Sequence, residues 1–159
     1  MHSARPARIA LTVVGVYIAV MAASSRIGRV LVEQQAVAAG GAPSTRVMVA
    51  PVPLSPTTRN VVRDVGLTYE IGTFTWSLNP RYEPSGVRIA TLRDTTPGEL
   101  ADATSTPDVK NFLTWSRFPF REVRDGADSI VVRFDDARYA SRGLRSFASV
   151  TVVRPRLAR

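Results

Sequence analysis

Four residues near the end of the chain combine types that can bind or catalyse: Arg117, Asp136, Arg138 and Tyr139. A guanidinium can fork onto a carboxylate, and a tyrosine hydroxyl can tie an adjacent turn. Asp135 and Asp136 are two neighbouring carboxylates, but adjacent residues of a strand point to opposite faces, so they do not form an acid–base pair. Asp135 is predicted to pair with a nearby arginine, and Asp136 to cap a turn. We take the four residues as binding candidates whose main role is to maintain the fold, and we name no catalytic residue or metal ligand.

The composition excludes several kinds of active site. The chain has 159 residues, no cysteine and a single histidine, His2. A thiolate nucleophile, a disulfide framework and a cysteine-rich zinc site are therefore impossible. A Ser-His-Asp triad or a histidine-rich metal site would need His2. We expect no cofactor in this chain, and its length suits one domain with a modest core.

The charge balance is basic, with 21 Lys and Arg against 13 Asp and Glu, a net charge of +8. The arginines are dispersed, and acids stand among them, as in Arg121-Glu122 and Arg124-Asp125. Phosphate-tracking surfaces instead gather cations into a stripe or patch. The sequence therefore predicts a mixed surface and no nucleic-acid partner.

The strongest signal is an uncharged apolar run over residues 9–23. As a helix it spans about 22 Å, against a hydrocarbon core of about 30 Å. Ser24, Ser25 and the snorkelling side chains of Arg8 and Arg26 bring the length close to sufficient. Three interpretations compete: a transmembrane anchor, a cleaved signal peptide and a buried core helix.

The residues after the apolar run favour the anchor. A helical period continues, and nothing breaks it before Gly40. A signal peptide normally ends in extended chain, so we predict one helix over 8–39, with its first half in lipid. Residues 1–39 are then a transmembrane and juxtamembrane helix of a protein that crosses the plasma (inner) membrane once. Basic residues flank the run almost equally on both sides, so the positive-inside rule does not choose the side of the soluble domain.

The rest of the chain divides into a linker over 40–45, a soluble β-rich domain over 46–154 and a basic tail over 155–159. Prolines in the first β-branched run, at Pro51 and Pro53, place it at a sheet edge or a strand end. Turn residues predict hairpins at Asp64 to Gly66 and at Asp125-Gly126. Phe147 to Val153 is predicted to be the final strand.

The strand over 67–76 has large apolar residues on both parities. Tyr69 and Ile71 share one face, whereas Phe74 and Trp76 lie on the other. A β-bulge at Gly72 would bring both sets to one face. The alternative is a regular strand that is buried on both sides, and the sequence leaves the two open.

Two short helices are predicted between the strands. Thr96-Pro97-Gly98-Glu99 has the pattern of a capping box, and Thr106-Pro107 repeats the cap-plus-proline start. The predicted fold class is α+β: an N-terminal transmembrane helix, then a small, mainly antiparallel sheet with one or two short helices.

Several segments together resemble the C-terminal region of the bacterial membrane-bound metal-dependent hydrolase family. They are Trp115-Ser-Arg117-Phe118-Pro119, the strand that ends in Asp136-Ala-Arg138-Tyr139, the 47–53 run, and the Tyr-x-x-Gly step at Tyr69 to Gly72. The resemblance covers about 9–153. It implies that the chain begins at what would be the last helix of the family's membrane part.

That resemblance implies a membrane module that lacks the family's metal site, because the divalent metal is held by histidines and aspartates of the preceding helices. The expected function is to pack on or regulate a membrane-protein partner, without catalysis by this chain alone. Whether the chain is an enzyme is left open. The alternative function is an exported or periplasmic ligand-binding module, released by signal cleavage.

Overall fold

The computed structural model describes residues 5–94, 104–140 and 149–155. A long helix, α1, comes first. A four-stranded sheet and a three-stranded sheet follow, and two short helices lie in the second half of the chain. The elements are α1 (Arg5–Ala38), β1 (Arg46–Val52), β2 (Ser55–Asp64), β3 (Thr68–Thr75), β4 (Arg81–Ala90), a 3-10 turn (Leu92–Asp94), α2 (Pro107–Trp115), β5 (Pro119–Asp125), β6 (Ser129–Asp136), α3 (Ala137–Ala140) and β7 (Ser149–Pro155).

The predicted α+β class is confirmed, with one difference in the sheet. The strands form two antiparallel sheets: sheet A in the order β1-β2-β3-β4 and sheet B in the order β5-β6-β7. Both predicted hairpins are present, since β2 pairs with β3 and β5 with β6. The proline-rich β1 lies at an edge of sheet A, as its prolines indicate. The predicted capping box at Thr96 to Glu99 lies outside the described residues.

Sheet A is a central layer that is covered on both faces. On one face α1 packs against it and supplies Val32 and Ala36 to a cluster with strand residues such as Phe74. On the other face Tyr69 and Ile71 pack with residues of β5 and α3. The far face of sheet B packs against α2 through a cluster that contains Val109, Phe112, Val132 and Phe134. Helix α1 and the residues around β5 and α3 therefore cover opposite faces of sheet A, and α2 covers a face of sheet B.

This layering explains why β3 carries apolar residues on both parities. Its pairing with β2 is regular through Gly72, so β3 is a strand buried on both faces. The irregularity lies in its pairing with β4, where the register shifts opposite Ile71. Gly72 is needed for another reason: a Cβ there would lie 2.5 Å from Cε2 of Tyr82 and 2.8 Å from the Glu83 carbonyl oxygen.

Helix α1 crosses sheet A at a steep angle to the strands. Near its middle, Gly28 packs against Val49 of the edge strand β1. Seven residues later, the Gln35 side chain bonds the Pro80 carbonyl and the Tyr82 amide at the start of β4, each within 2.9 Å. Those seven residues rise about 10.5 Å, and the two edge strands are about 14 Å apart. Between Gly28 and Gln35 the helix therefore crosses most of sheet A, from the side of β1 and β2 to the β4 edge.

Candidate functional site

The carboxylate of Asp136 is the centre of the predicted cluster. It is fully buried and accepts six hydrogen bonds, and we call this arrangement the Asp136 hub. Arg138 forks onto it with Nε 3.0 Å from Oδ1 and Nη2 2.9 Å from Oδ2. The Ser116 hydroxyl donates to Oδ2 at 2.7 Å. The hub thus joins the segment after α2 to the end of β6.

Local sequence determines how the hub forms. Helix α2 ends at Trp115, and the backbone then becomes extended, so the amides of Arg117 and Phe118 point to Oδ2 at 2.9 and 3.5 Å. On the other side, the turn into α3 brings the Arg138 amide 2.9 Å from Oδ1. Asp136 therefore caps two chain reversals that are about 20 residues apart in sequence.

Electrostatics make the hub a stable ionised pair. Burial alone would raise the pKa of Asp136, but the hydrogen bonds from Arg138 and Ser116 outweigh it and hold this pKa below its usual value. The same contact raises the pKa of Arg138. A carboxylate whose acceptor positions are all taken by this chain has no lone pair left for a metal or a substrate. The hub's chemistry is that of a structural tie.

The other two predicted residues join the hub in different ways. Arg117 supplies only its backbone amide, because its side chain is exposed. The Tyr139 ring lies 5.3 Å from the guanidinium carbon of Arg138, and the Trp115 ring lies 5.7 Å from it. The guanidinium is thus held by two aromatic rings as well as by the carboxylate. The structure brings all four predicted residues together, and adds Ser116 and Trp115. Asp135 pairs separately with Arg133, with Nε 2.8 Å from Oδ2.

Sequence reasoning missed a second buried ion-pair network, centred on Arg63. Its guanidinium lies 2.6 Å from the Glu70 carboxylate and 3.2 Å from that of Glu33, and its Nη2 donates to the Ala42 carbonyl at 2.8 Å. Glu33 also accepts from the Ser44 amide and hydroxyl. No local pattern marks these residues, since they come from α1, the following loop, β2 and β3. The network fastens α1 and the 40–45 linker to sheet A.

The part of the chain that the structure describes carries two open surface clefts that concern the candidate site. The first, of about 470 Å³, lies beside Asp64, which pairs with Arg46 and Arg93. Tyr69 also lines it, and burial together with the nearby Asp64 carboxylate raises the pKa of that phenol. Because Asp64 already compensates one of the two arginines, this cleft has only a small excess of positive charge. Its tyrosine hydroxyl donates to the Pro119 carbonyl at 3.3 Å.

The second cleft, of about 520 Å³, lies between α2 and the edge strand β7. Polar groups of both elements line it beside the rings of Phe112 and Trp115, and the Trp115 side chain is 46% exposed. Asn111 and Thr151 place hydrogen-bonding groups on its two walls. An aromatic platform beside a strand edge with polar groups can hold a small ligand or an extended peptide.

Among residues 5–94, 104–140 and 149–155, no group of three or more His, Cys, Asp or Glu side chains is placed to hold a metal ion. The acids that the sequence singled out are engaged by arginines, as described above.

The first half of α1 forms a distinct apolar surface. In the described chain, α1 is long and apolar enough to cross a membrane, and a signal sequence near the N-terminus has the same properties. Its large apolar side chains from Ile9 to Val20 are all more than half exposed. The soluble domain therefore does not cover this surface.

No family model, no curated protein and no solved structure matches this chain. The resemblance to the membrane-bound metal-dependent hydrolases accordingly stays a prediction.

Proposed function

We propose that this chain is a single-pass protein of the bacterial inner membrane, whose β-rich domain is held rigidly at the bilayer and docks onto a membrane-protein partner. One observation carries the proposal: a single helix has an uncovered apolar first half and a second half built into the domain. Val32 of the second half is fully buried, whereas the apolar side chains before residue 21 face outwards. Such an apolar surface requires lipid or another apolar environment.

The attachment of the helix supports a positioning role rather than a loose tether. Gln35 bonds backbone groups at the start of β4, and Glu33 pairs with the buried Arg63. The domain therefore cannot swing freely on a flexible linker, because residues 40–45 are themselves held by Ser44 and Ala42. A fixed height and orientation above the membrane suit a module that packs on a neighbouring membrane protein.

Membrane integration is tested by extracting membranes with alkaline carbonate after expression of the full chain. The wild-type chain is expected to stay in the pellet. Replacing Val14 and Ile18 with arginine adds two charges to the uncovered apolar surface and is expected to release the protein or prevent its insertion. Replacing Leu67 and Val87, two exposed domain residues, with arginine adds the same charge elsewhere and should leave it in the pellet. Full release of the wild type would contradict the proposal.

The partner and the absence of activity are separate parts of the proposal, and both rest on the resemblance. The partner would carry the metal site that the family resemblance implies. Metal analysis of the purified chain, together with phosphoesterase and esterase assays, is expected to show neither stoichiometric metal nor turnover. Stoichiometric metal with turnover would overturn the non-catalytic role. Crosslinking in membranes, followed by mass spectrometry, is expected to recover an integral membrane protein with His-containing helices.

The α2–β7 cleft supports a second candidate, an exported ligand-binding module. Its half-exposed Trp115 is an available stacking surface. Signal cleavage near Ala23 to Arg26 would remove the apolar half of α1 and leave the docked half in place. A mature start in that interval would favour this candidate, and Trp115→Ala would then be expected to abolish ligand binding.

A further inference from the structure

We infer that the β1 edge of sheet A lies on the bilayer surface and that Leu54, in the turn after β1, inserts into the lipid headgroup region. This inference rests on the proposed function, since it needs α1 in the membrane. It assigns a lipid-contacting surface to the domain itself, beyond the helix.

The crossing of α1 over sheet A determines which edge faces the membrane. The N-terminal direction of α1 runs from the β4 edge towards the β1 edge. The apolar run therefore lies beyond the β1 edge. Gly28 contacts Val49 of β1 and the rings of Phe74 and Trp76, so residue 28 lies near β2. Three residues earlier, about 4.5 Å back along the axis, the helix reaches the level of the β1 edge. That level is Ser25, two residues after the end of the apolar run.

Burial along α1 confirms how closely the domain approaches the apolar run. Met21, Ser24 and Ser25 are half-buried, whereas Ala22 and Ala23 are exposed. The half-buried residues lie on the helical face that continues through Gly28 to Val32, the face that packs on sheet A. Since Met21 lies within the uncharged run, this half-buried face of α1 reaches the last residues of that run.

The turn between β1 and β2 presents an apolar side chain at this level. Pro53 and Leu54 form its centre, and Leu54 has a φ of 64° with a fully exposed side chain. A proline followed by a positive φ is the pattern of a type II turn, where glycine or asparagine is the favoured second residue. Leu54 is the one non-glycine with positive φ among the described residues. The positive φ is a cost in either environment, but burial in lipid would compensate part of it, because the exposed leucine side chain is favoured there over water.

The turn is held in place by a buried arginine. Arg59 is buried on the α1 face of sheet A, and its Nη1 donates to the carbonyls of Pro56 and Thr58 at 2.9 and 3.1 Å. These bonds hold the chain after the turn and keep Leu54 at a fixed height. The bilayer surface would also cover the unpaired edge of β1, an edge that proteins otherwise blunt or shield.

The hairpin formed by β3 and β4 offers a matched control. Leu78 lies in the loop between β3 and β4, at the same end of the sheet, and it is as fully exposed as Leu54. The two loops are separated by two strand spacings across the sheet, about 10 Å. Leu78 is therefore farther from the membrane by that distance, and the two leucines differ in height rather than in exposure.

The test uses single-cysteine variants of the full chain, which has no cysteine of its own. Tyr17→Cys, Leu54→Cys and Leu78→Cys are labelled with bimane and reconstituted in phosphatidylcholine–phosphatidylglycerol vesicles. Quenching is measured with nitroxide-labelled lipids and with aqueous iodide. The Leu54 label is expected to be quenched at least threefold more by headgroup-region nitroxides than the Leu78 label, and to be shielded from iodide.

Each other outcome has a defined meaning. Lipid quenching at position 17 shows that the anchor is inserted, so its absence would contradict the proposed function. Lipid quenching at 17 without quenching at 54 would overturn this inference alone. Equal quenching at 54 and 78 would also overturn it, because the β1 edge would then not be the membrane side. Circular dichroism of each labelled variant checks that the domain is folded.

Discussion

Arg63 on β2 and Glu33 on α1 form an ion pair of 3.2 Å between the helix that carries the apolar run and the sheet that forms the domain. The Arg63 side chain is only 1% exposed, and Glu70 holds its other side at 2.6 Å. Two carboxylates on one buried guanidinium leave no freedom for the helix to rotate on the sheet. This contact fastens the helix to the sheet.

Removing the arginine should therefore weaken the domain strongly. Arg63→Ala leaves Glu33 without its arginine and facing Glu70, whose other oxygen still pairs with Arg88 at 2.9 Å, and we expect the free energy of unfolding to fall by about 3–5 kcal/mol. Urea unfolding of the full chain in detergent micelles, followed by the fluorescence of Trp76 and Trp115, measures this free energy. Arg81→Ala removes an arginine from an exposed pair with Glu83 and should change stability by less than about 1 kcal/mol. Equal effects for the two variants would contradict the role of Arg63.

The Asp136 hub should be equally sensitive to a change that keeps its shape. Asp136→Asn removes the charge that Arg138 compensates and turns an NH₂ group towards donors, so we expect a loss of about 3–5 kcal/mol. Glu122→Gln makes the same chemical change in an exposed pair with Arg124. That variant should stay within about 1 kcal/mol of wild type. Chemical denaturation of both variants and the wild type under one set of conditions measures the two losses in free energy of unfolding. Equal losses would contradict the role of the hub.

Acid should weaken the domain through the same carboxylate. The folded-state pKa of Asp136 is lowered, so above the ordinary aspartate pKa, about 4, the folded state benefits fully from the ionised group. As the pH falls through the lowered folded-state pKa, that benefit is lost and the free energy of unfolding decreases. Measured between pH 6 and pH 2, Asp136→Asn should show a shallower acid slope than wild type. An unchanged slope would mean that other carboxylates dominate.

Gly72 should tolerate no side chain. Its missing Cβ leaves room for the Tyr82 ring, and the nearby Glu83 carbonyl is backbone and cannot turn away. We expect Gly72→Ala to cost about 1–3 kcal/mol. Gly15→Ala is the control, because nothing lies within 4 Å of a Cβ at that exposed helical position. Adding Tyr82→Leu to Gly72→Ala should recover part of the loss, since the contact with the ring is removed and that with the carbonyl is not.

The sequence predicted those features that depend on neighbouring residues. The α1 helix, predicted over 8–39, spans Arg5–Ala38, and Thr106-Pro107 marks the start of α2. Gly66, with a φ of 94°, forms the predicted turn between β2 and β3. Each of these signals acts within a few residues: apolar content for α1, a cap residue for α2, and a residue that tolerates positive φ for the turn. They establish the fold class and most element boundaries.

Features that depend on distant residues were not predictable in the same way. Nothing near Arg63 in sequence shows that Glu33 will reach it, because the two are 30 residues apart and meet only when α1 crosses sheet A. The two apolar faces of β3 left a bulge and double burial open, and only the packing of Phe118, Phe120 and Ala137 on the second face decided between them. At the hub, the Asp136–Arg138 pair is local, whereas the Ser116 contact needs α2 in place.

The most direct test of the central claim is the intact mass of the chain that remains in carbonate-washed membranes. When this 159-residue chain is expressed, the account predicts a membrane-bound species at its uncleaved mass of 17.3 kDa. A soluble species that lacks the residues before Ala23 to Arg26 would contradict it, because the apolar half of α1 would then be a signal peptide and not an anchor.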